Sequence, residues 1–144
     1  MVMTTEFNTG RMVTQKFTDS VKIKLRAKTD STSIRMRYKK SILILNWCGG
    51  IDELRIYDIF TPDVGKGYAN RGRIPVDEFV DIEWIIGRKV MAVRVNGGLR
   101  HVGCDHSYIK AYANDPDFSI ETTISVEPAW GSTVTVESLE ITEL

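Results

Sequence analysis

Few of the features that most often betray a function occur in this sequence. Only two cysteines, Cys48 and Cys104, occur in 144 residues. They stand far apart and form no C-x-x-C pattern, so no redox motif or cysteine-rich zinc site is written here. The expectation is a pair of reduced, mostly buried thiols in a cytoplasmic protein. Neither charge is in excess, since 19 Lys+Arg balance 19 Asp+Glu. A chain of zero net charge has no global field to steer it toward DNA, RNA or an anionic membrane, so nucleic acid is not an expected partner. No apolar run approaches the roughly 20 residues that span a bilayer. The longest, Ser41-Ile42-Leu43-Ile44-Leu45-Asn46-Trp47-Cys48, has strand length, so no membrane partner is expected either. Met1–Gly10 lacks the basic start and apolar core of a secretory signal, in keeping with a cytoplasmic location. Gly65-Lys66-Gly67 lacks the strand-to-helix context of a phosphate loop. No nucleophile motif, internal repeat, low-complexity tract or linker is present, and residues 1–144 read as one domain.

What is present is alternation. With 42% hydrophobic and 26% charged residues the composition is that of an ordinary globular protein. Val21-Lys22-Ile23-Lys24-Leu25-Arg26-Ala27-Lys28 alternates apolar and cationic residues without a break, and Ile34–Tyr38 repeats the pattern. A period of two marks a half-buried strand. Ile42–Trp47 is apolar on both faces, as a central covered strand would be. Glu53–Ile59, Phe79–Ile85 and Lys89–Val95 return to alternation, and late strands are expected in Phe118–Val126 and Thr133–Ile141. Asn96-Gly97 separates two such runs, and Asn-Gly suits the two positive φ angles of a type I′ turn, which predicts a hairpin. Thr61–Gly72, with Pro62 and three glycines, reads as a long loop. Tyr108, Ala111 and Tyr112 have the spacing of one or two helical turns. About ten short strands with turns every 8–12 residues imply an all-β sandwich or barrel.

Arg73-Ile74-Pro75-Val76-Asp77-Glu78-Phe79-Val80, then Ile82-Glu83-Trp84, then Met91–Leu99 through Val95-Asn96-Gly97, resembles the most recognisable stretch of concanavalin A-like domains, laminin-G-like modules among them. Val21–Asn46 resembles the opening strands of that superfamily, so the likeness covers about two-thirds of the chain. It implies a two-sheet antiparallel jelly roll, often with one concave, ligand-facing sheet, and says little about function because lectins, glycosidases and adhesion modules share the architecture. Two departures matter. Glycosidases on this fold place acids as Glu-x-Asp-x-x-Glu, whereas this chain has Glu78-x-x-Asp81-x-Glu83. Galectins use a His-x-Asn-Pro-Arg strand with a downstream Trp, which has no match here.

Chemistry-bearing residues fall at the polar positions of the strands. Asp81 and Glu83, two apart on one strand, face the same way about 6.6–7 Å apart. That separation is permissive for the ~6.5–9.5 Å of inverting glycosidases, and it is equally what any exposed strand produces. The same logic selects Lys22, Lys24, Arg26, Arg35, Arg37, Arg55, Tyr57 and Arg94. Trp47, Trp84 and Trp130 are candidate sugar platforms; Trp84 alternates with the acids and belongs to the core, while Trp130, between Pro128 and Gly131, is placed for an exposed ring. His101-x-x-Cys104-Asp105-His106 has zinc-ligand residue types at no known zinc spacing, and Asn114–Asp117 reads as a turn rather than a calcium loop, so no metal or other cofactor is expected. The function expected is a non-catalytic binding module of carbohydrate-recognition type, in which one polar sheet face carrying Arg55, Tyr57, Asp81, Glu83 and Arg94, with Trp130 beside it, takes a glycan. The alternatives are a structural or interaction domain that meets a larger protein or its own copy, and, further behind, a glycoside hydrolase using Asp81 and Glu83.

Overall fold

The computed structural model describes residues 2–4, 12–17, 19–38, 41–57, 65–103 and 123–144. Among these residues twelve strands form two six-stranded sheets in which every pairing is antiparallel. In chain order they are β1 (Val2–Thr4), β2 (Met12–Lys16), β3 (Val21–Thr29), β4 (Ile34–Tyr38), β5 (Ser41–Leu45), β6 (Leu54–Tyr57), β7 (Lys66–Tyr68), β8 (Val80–Ile86), β9 (Met91–Val95), β10 (Gly98–Gly103), β11 (Thr123–Glu127) and β12 (Thr133–Glu143). The first sheet runs β1-β12-β3-β8-β9-β10 and the second β2-β11-β4-β5-β6-β7.

The alternation read from the sequence is the alternation of burial. Val21, Ile23, Leu25 and Ala27 are buried on β3 while the lysines and Arg26 between them are not, and β8 buries Val80, Ile82, Trp84 and Ile86 in the same way. On the second sheet Met36, Tyr38, Leu43, Leu45, Leu54 and Ile56 turn inward to meet them. Each such aliphatic side chain taken from water contributes about 1.5–3 kcal/mol, so the two inner faces together hold the sandwich shut. Tyr38 is buried with its ring, and its hydroxyl donates to the Asp19 carbonyl at 2.6 Å.

The hairpin expected at Asn96-Gly97 is present, with β9 and β10 paired and φ values of 49° and 79° at the two turn residues. Three features depart from the sequence reading. Thr61–Gly72 is not loop throughout, because Lys66–Tyr68 pairs with Leu54–Ile56 as an edge strand too short and glycine-rich to display a period. The short strands β1 and β2 were not anticipated. Late in the chain, β12 carries a bulge at Glu137, where Val136 pairs with Ala27 and Ser138 with Arg26. The extra residue swaps faces: Val134 and Val136 point inward before it, Leu139 and Ile141 after it. Tyr108, Ala111, Tyr112 and Phe118–Glu121 lie outside the described residues.

Candidate functional site

The outer face of the first sheet holds a cleft of about 380 Å³ lined by Lys24, Arg26, Asp81, Glu83, Arg94, Gly97, Ser138 and Glu140, with Leu25 and Ile82 beneath. Register explains its chemistry. Glu140 is opposite Lys24, Lys24 opposite Glu83, and Glu83 opposite Arg94, giving one row of alternating sign across β12, β3, β8 and β9. The next row is Ser138, Arg26 and Asp81. Arg94 Nη1 donates to Glu83 Oε1 at 2.9 Å and Arg26 Nη1 to Asp81 Oδ1 at 3.2 Å. Arg26 is also ion-paired to Glu137, the bulge residue. Hydrogen bonds to Asp81 and then Glu137 raise the Arg26 pKa above its ordinary value. The turn locks the end of the row: Asp81 N donates to Asn96 Oδ1 at 2.9 Å and Asn96 N to the Asp81 carbonyl at 2.8 Å. Phe79 closes the same end, with Lys28 Nζ at 5.0 Å and Arg26 Cζ at 5.6 Å from its ring centre. The expectation that Asp81 and Glu83 oppose a buried Trp84 is met.

The outer face of the second sheet has a different composition. Across its strands run Glu127 (β11), Arg35 (β4), Ile44 (β5) and Arg55 (β6), with Ser125, Arg37, Ile42 and Tyr57 in the adjacent row. Arg37 Nε is ion-paired with Glu127 Oε1 at 2.9 Å, and Ser125 Oγ donates to that oxygen at 3.1 Å. Arg55 is clamped. Its guanidinium carbon lies 4.4 Å from the Trp47 ring centre and 5.9 Å from that of Tyr57, and Nη1 is 3.4 Å from Glu53 Oε2. Gly67 makes room for this group, since a Cβ there would collide with Glu53 Oε2. On its other side the Trp47 ring abuts Gly49, whose Cβ would come within 2.6 Å of it. Trp47 is therefore a shelf for Arg55 rather than an open sugar platform.

The six residues proposed from sequence do not share one face. Asp81, Glu83 and Arg94 come together on the first sheet, and Arg55 and Tyr57 belong to the second. The core separates them, since packed sheets stand ~10 Å apart. Trp130 is on neither face: it occupies the turn between β11 and β12, 64% exposed and at φ 54°. Ser138 and Glu140 were missed because strict alternation from Val134 points them inward; the shift of apolar residues from even to odd positions, Val136 to Leu139, is the signal of the bulge that turns them out. Cys48 is a free thiol and exposed, not buried as expected, because it follows the end of β5 in a turn; Cys104 lies outside the described residues. His101 is buried on β10 against Tyr68, ring centres 4.4 Å apart. Desolvation lowers its pKa, helped by the Arg71 and Lys66 charges. Among the described residues no three His, Cys, Asp or Glu side chains gather as metal ligands. Cys104–His106 and Asn114–Asp117 lie outside them. Nor is any helix there long and apolar enough to cross a membrane.

No protein-family model matches the sequence, and no curated protein matches it in a sequence search. Solved structures do share its shape. The Caenorhabditis elegans galectin LEC-6 superposes with a TM-score of 0.59 over 98% of this chain and 94% of its own, at 10% identity. The carbohydrate-binding module CBM66 from Bacillus subtilis gives 0.60 over 96% and 83%, at 6% identity. A Bacillus licheniformis β-glucanase gives 0.63 over 94% and 72%, at 9% identity. At such identities the likeness speaks for architecture, and it agrees with the strand order and the resemblance of Arg73–Leu99: the chain has the concanavalin A-like jelly-roll fold.

Proposed function

We propose that this protein is a non-catalytic glycan-binding module whose site for neutral sugars is the cleft on the first sheet's outer face. The observation that carries the reading is the row Glu140–Lys24–Glu83–Arg94 inside a cleft of about 380 Å³. A sugar hydroxyl both donates and accepts, and a lattice of alternating ammonium, guanidinium and carboxylate groups offers both partners at strand spacing. Charge-assisted bonds of this kind are roughly twice as strong as neutral ones. The ion pairs Arg94–Glu83 and Arg26–Asp81 fix their planar groups before a ligand arrives, which lowers the entropy lost on binding. The signs cancel along the row, so the cleft suits an uncharged glycan. The architecture is also that of a galectin and of a carbohydrate-binding module, proteins named for what they bind.

Catalysis is disfavoured by the surroundings of the two acids. A general acid holds its proton through a dry pocket or a like-charged neighbour. Asp81 has a side chain 66% exposed, and both it and Glu83 lie on guanidinium groups instead. Screening on an array of neutral oligosaccharides, followed by calorimetry on the hits, tests the reading. Binding that weakens at least tenfold in Glu83→Gln or Arg94→Gln, with no release of reducing ends, is expected. A silent array would favour the interaction-domain alternative, and turnover abolished by Glu83→Gln would make the protein an enzyme.

A further inference from the structure

A second cleft opens on the flank of the sandwich, where β10 of the first sheet meets the segment that follows β7 of the second. Its volume is about 490 Å³, and it is lined by Leu99, Arg100, His101 and Val102 with Asn70 and Arg71. Asn70, Arg71, Leu99 and Val102 are all exposed, so the cleft is open to solvent. A volume of this order is usual for a small-molecule site.

The local structure shapes it. Arg100 is the extra residue of a bulge, since Leu99 pairs with Arg94 and His101 with Val93. The bulge takes Arg100 out of the ladder, and its Nη1 donates to the carbonyls of Arg71 at 2.8 Å and Arg73 at 3.1 Å. The edge of one sheet is thereby tied to a loop of the other. Asn70 turns that loop at φ 61°, in the left-handed region that Asn tolerates. The guanidinium carbon of Arg71 stands 5.6 Å from the centre of the Tyr68 ring, against which His101 also packs. His101 is 6% exposed, and its Nδ1 meets no hydrogen-bond partner.

The described lining thus holds two guanidinium groups and no carboxylate. Arg100 is fixed by two carbonyls and Arg71 lies along an aromatic ring, so less freedom is lost when a ligand arrives. Guanidinium groups match the oxygens of a carboxylate or phosphate. Leu99 and Val102, 58% and 52% exposed, offer apolar surface beside them. We propose that this flank cleft is a second binding site, for a small organic anion whose carboxylate or phosphate head is joined to an apolar body. Arg71 and Arg100 take the head, and Leu99 and Val102 take the body. The site is separate from the cleft on the first sheet's outer face and does not depend on the reading of that cleft.

Calorimetry at pH 7.5 with hexanoate, hexyl phosphate, hexanol, acetate and inorganic phosphate separates head from body. At least one of the two six-carbon anions is expected to bind about tenfold more tightly than hexanol and than its own bare head group. The tighter of the two identifies the head. Arg71→Gln should remove the advantage over hexanol, and Leu99→Ser with Val102→Ser the advantage over the bare head group. Lys89→Gln should leave both intact. All four positions are exposed, so the variants test contact rather than folding. Desolvation and the Arg71 and Lys66 charges hold the His101 pKa down. An anion on Arg71 offsets those charges, so the His101 pKa followed by NMR should rise on binding. Hexanol binding as tightly as both anions, bare head groups binding as tightly as their six-carbon forms, equal losses in Arg71→Gln and Lys89→Gln, an unmoved His101 titration, or no binding of either anion would each overturn the assignment.

Discussion

Trp84 offers a test in which two opposing contributions can be separated. Its side chain is 0% exposed on β8, between Ile23 of β3 and Val93 of β9, and its indole Nε1 is buried without a hydrogen-bond partner. Truncation to alanine removes the packing of the whole ring and should cost about 3–5 kcal/mol, a large share of the 5–15 kcal/mol that holds a typical domain together. Trp84→Phe is a different perturbation. The smaller ring leaves a cavity of a few tens of Å³, and the cavity, at roughly 24 cal/mol per Å³, and the lost transfer of the removed atoms each cost about 1 kcal/mol. It also deletes an N–H whose desolvation goes uncompensated, a penalty of about 1–3 kcal/mol. The two nearly cancel, so Trp84→Phe should change stability by less than about 1 kcal/mol in either direction. Urea denaturation followed by far-UV circular dichroism measures both variants, with unchanged m-values as the check that the unfolding reaction is the same. A phenylalanine variant as unstable as the alanine variant would refute the reasoning, because it would mean that the indole N–H is satisfied in solution.

Further expectations are open to the same assay. Gly97→Val should destabilise by roughly 1–3 kcal/mol through backbone strain alone, since φ is 79° and a Cβ there meets nothing within 4 Å. Asp81→Asn should cost less than about 1 kcal/mol, as for other exposed ion pairs; a loss greater than that of Trp84→Ala would overturn the strand register. Trp130→Asn should stabilise by about 0.5–1 kcal/mol, because Asn tolerates the left-handed region better than Trp does, and a destabilised variant would mean that the exposed ring has a packing role. His101 has a folded-state pKa below its ordinary value, so the unfolded chain binds the extra proton and stability falls as pH drops below about 6.5. The urea midpoint should decline from pH 7.5 to 5.5 in the native protein and less steeply in His101→Leu. Asp19, held at about 2 chiefly by the Arg88 hydrogen bond, loses its contribution only as pH falls from about 4 and is silent in that window. Equal slopes in the two proteins would refute the assignment to His101.

The alternating strands were legible in the sequence because a half-buried strand must write its burial in a period of two. β3, β4 and β8 did so without interruption, and the Asn96-Gly97 turn was legible because few dipeptides accept two positive φ angles. Edge strands leave no such trace. Among the described residues Lys66–Tyr68 pairs on one side only, with Gly67 chosen by the Glu53–Arg55 pair above it rather than by any need of the strand. The candidate site was half legible. The polar residues were identified strand by strand, yet nothing local in Arg55 or Arg94 says to which sheet β6 or β9 belongs. That is settled by which strands pair, and β6 joins β5 while β9 joins β8. Trp47 misled for a similar reason: it follows an apolar strand in sequence, and its neighbour in space is a guanidinium from the next strand.

The separation of the faces has a chemical consequence. A sandwich gives every strand one row for the core and one row for water, so two sheets make two outer surfaces that share no side chain. Charges on one surface then act little on the other, because at ~0.15 M ionic strength exposed charges are screened over about 8 Å while the faces are farther apart than the ~10 Å between sheets. The net charge of zero is therefore not a property of either face. On the first sheet the charges cancel along the row Glu140, Lys24, Glu83 and Arg94. On the second, Arg37 meets Glu127 and Arg55 meets Glu53, on either side of a central strand that places Ile42 and Ile44 between the flanking arginines. Opposite charges are thus paired within each sheet, and a substitution on one outer face leaves the electrostatics of the other nearly unchanged.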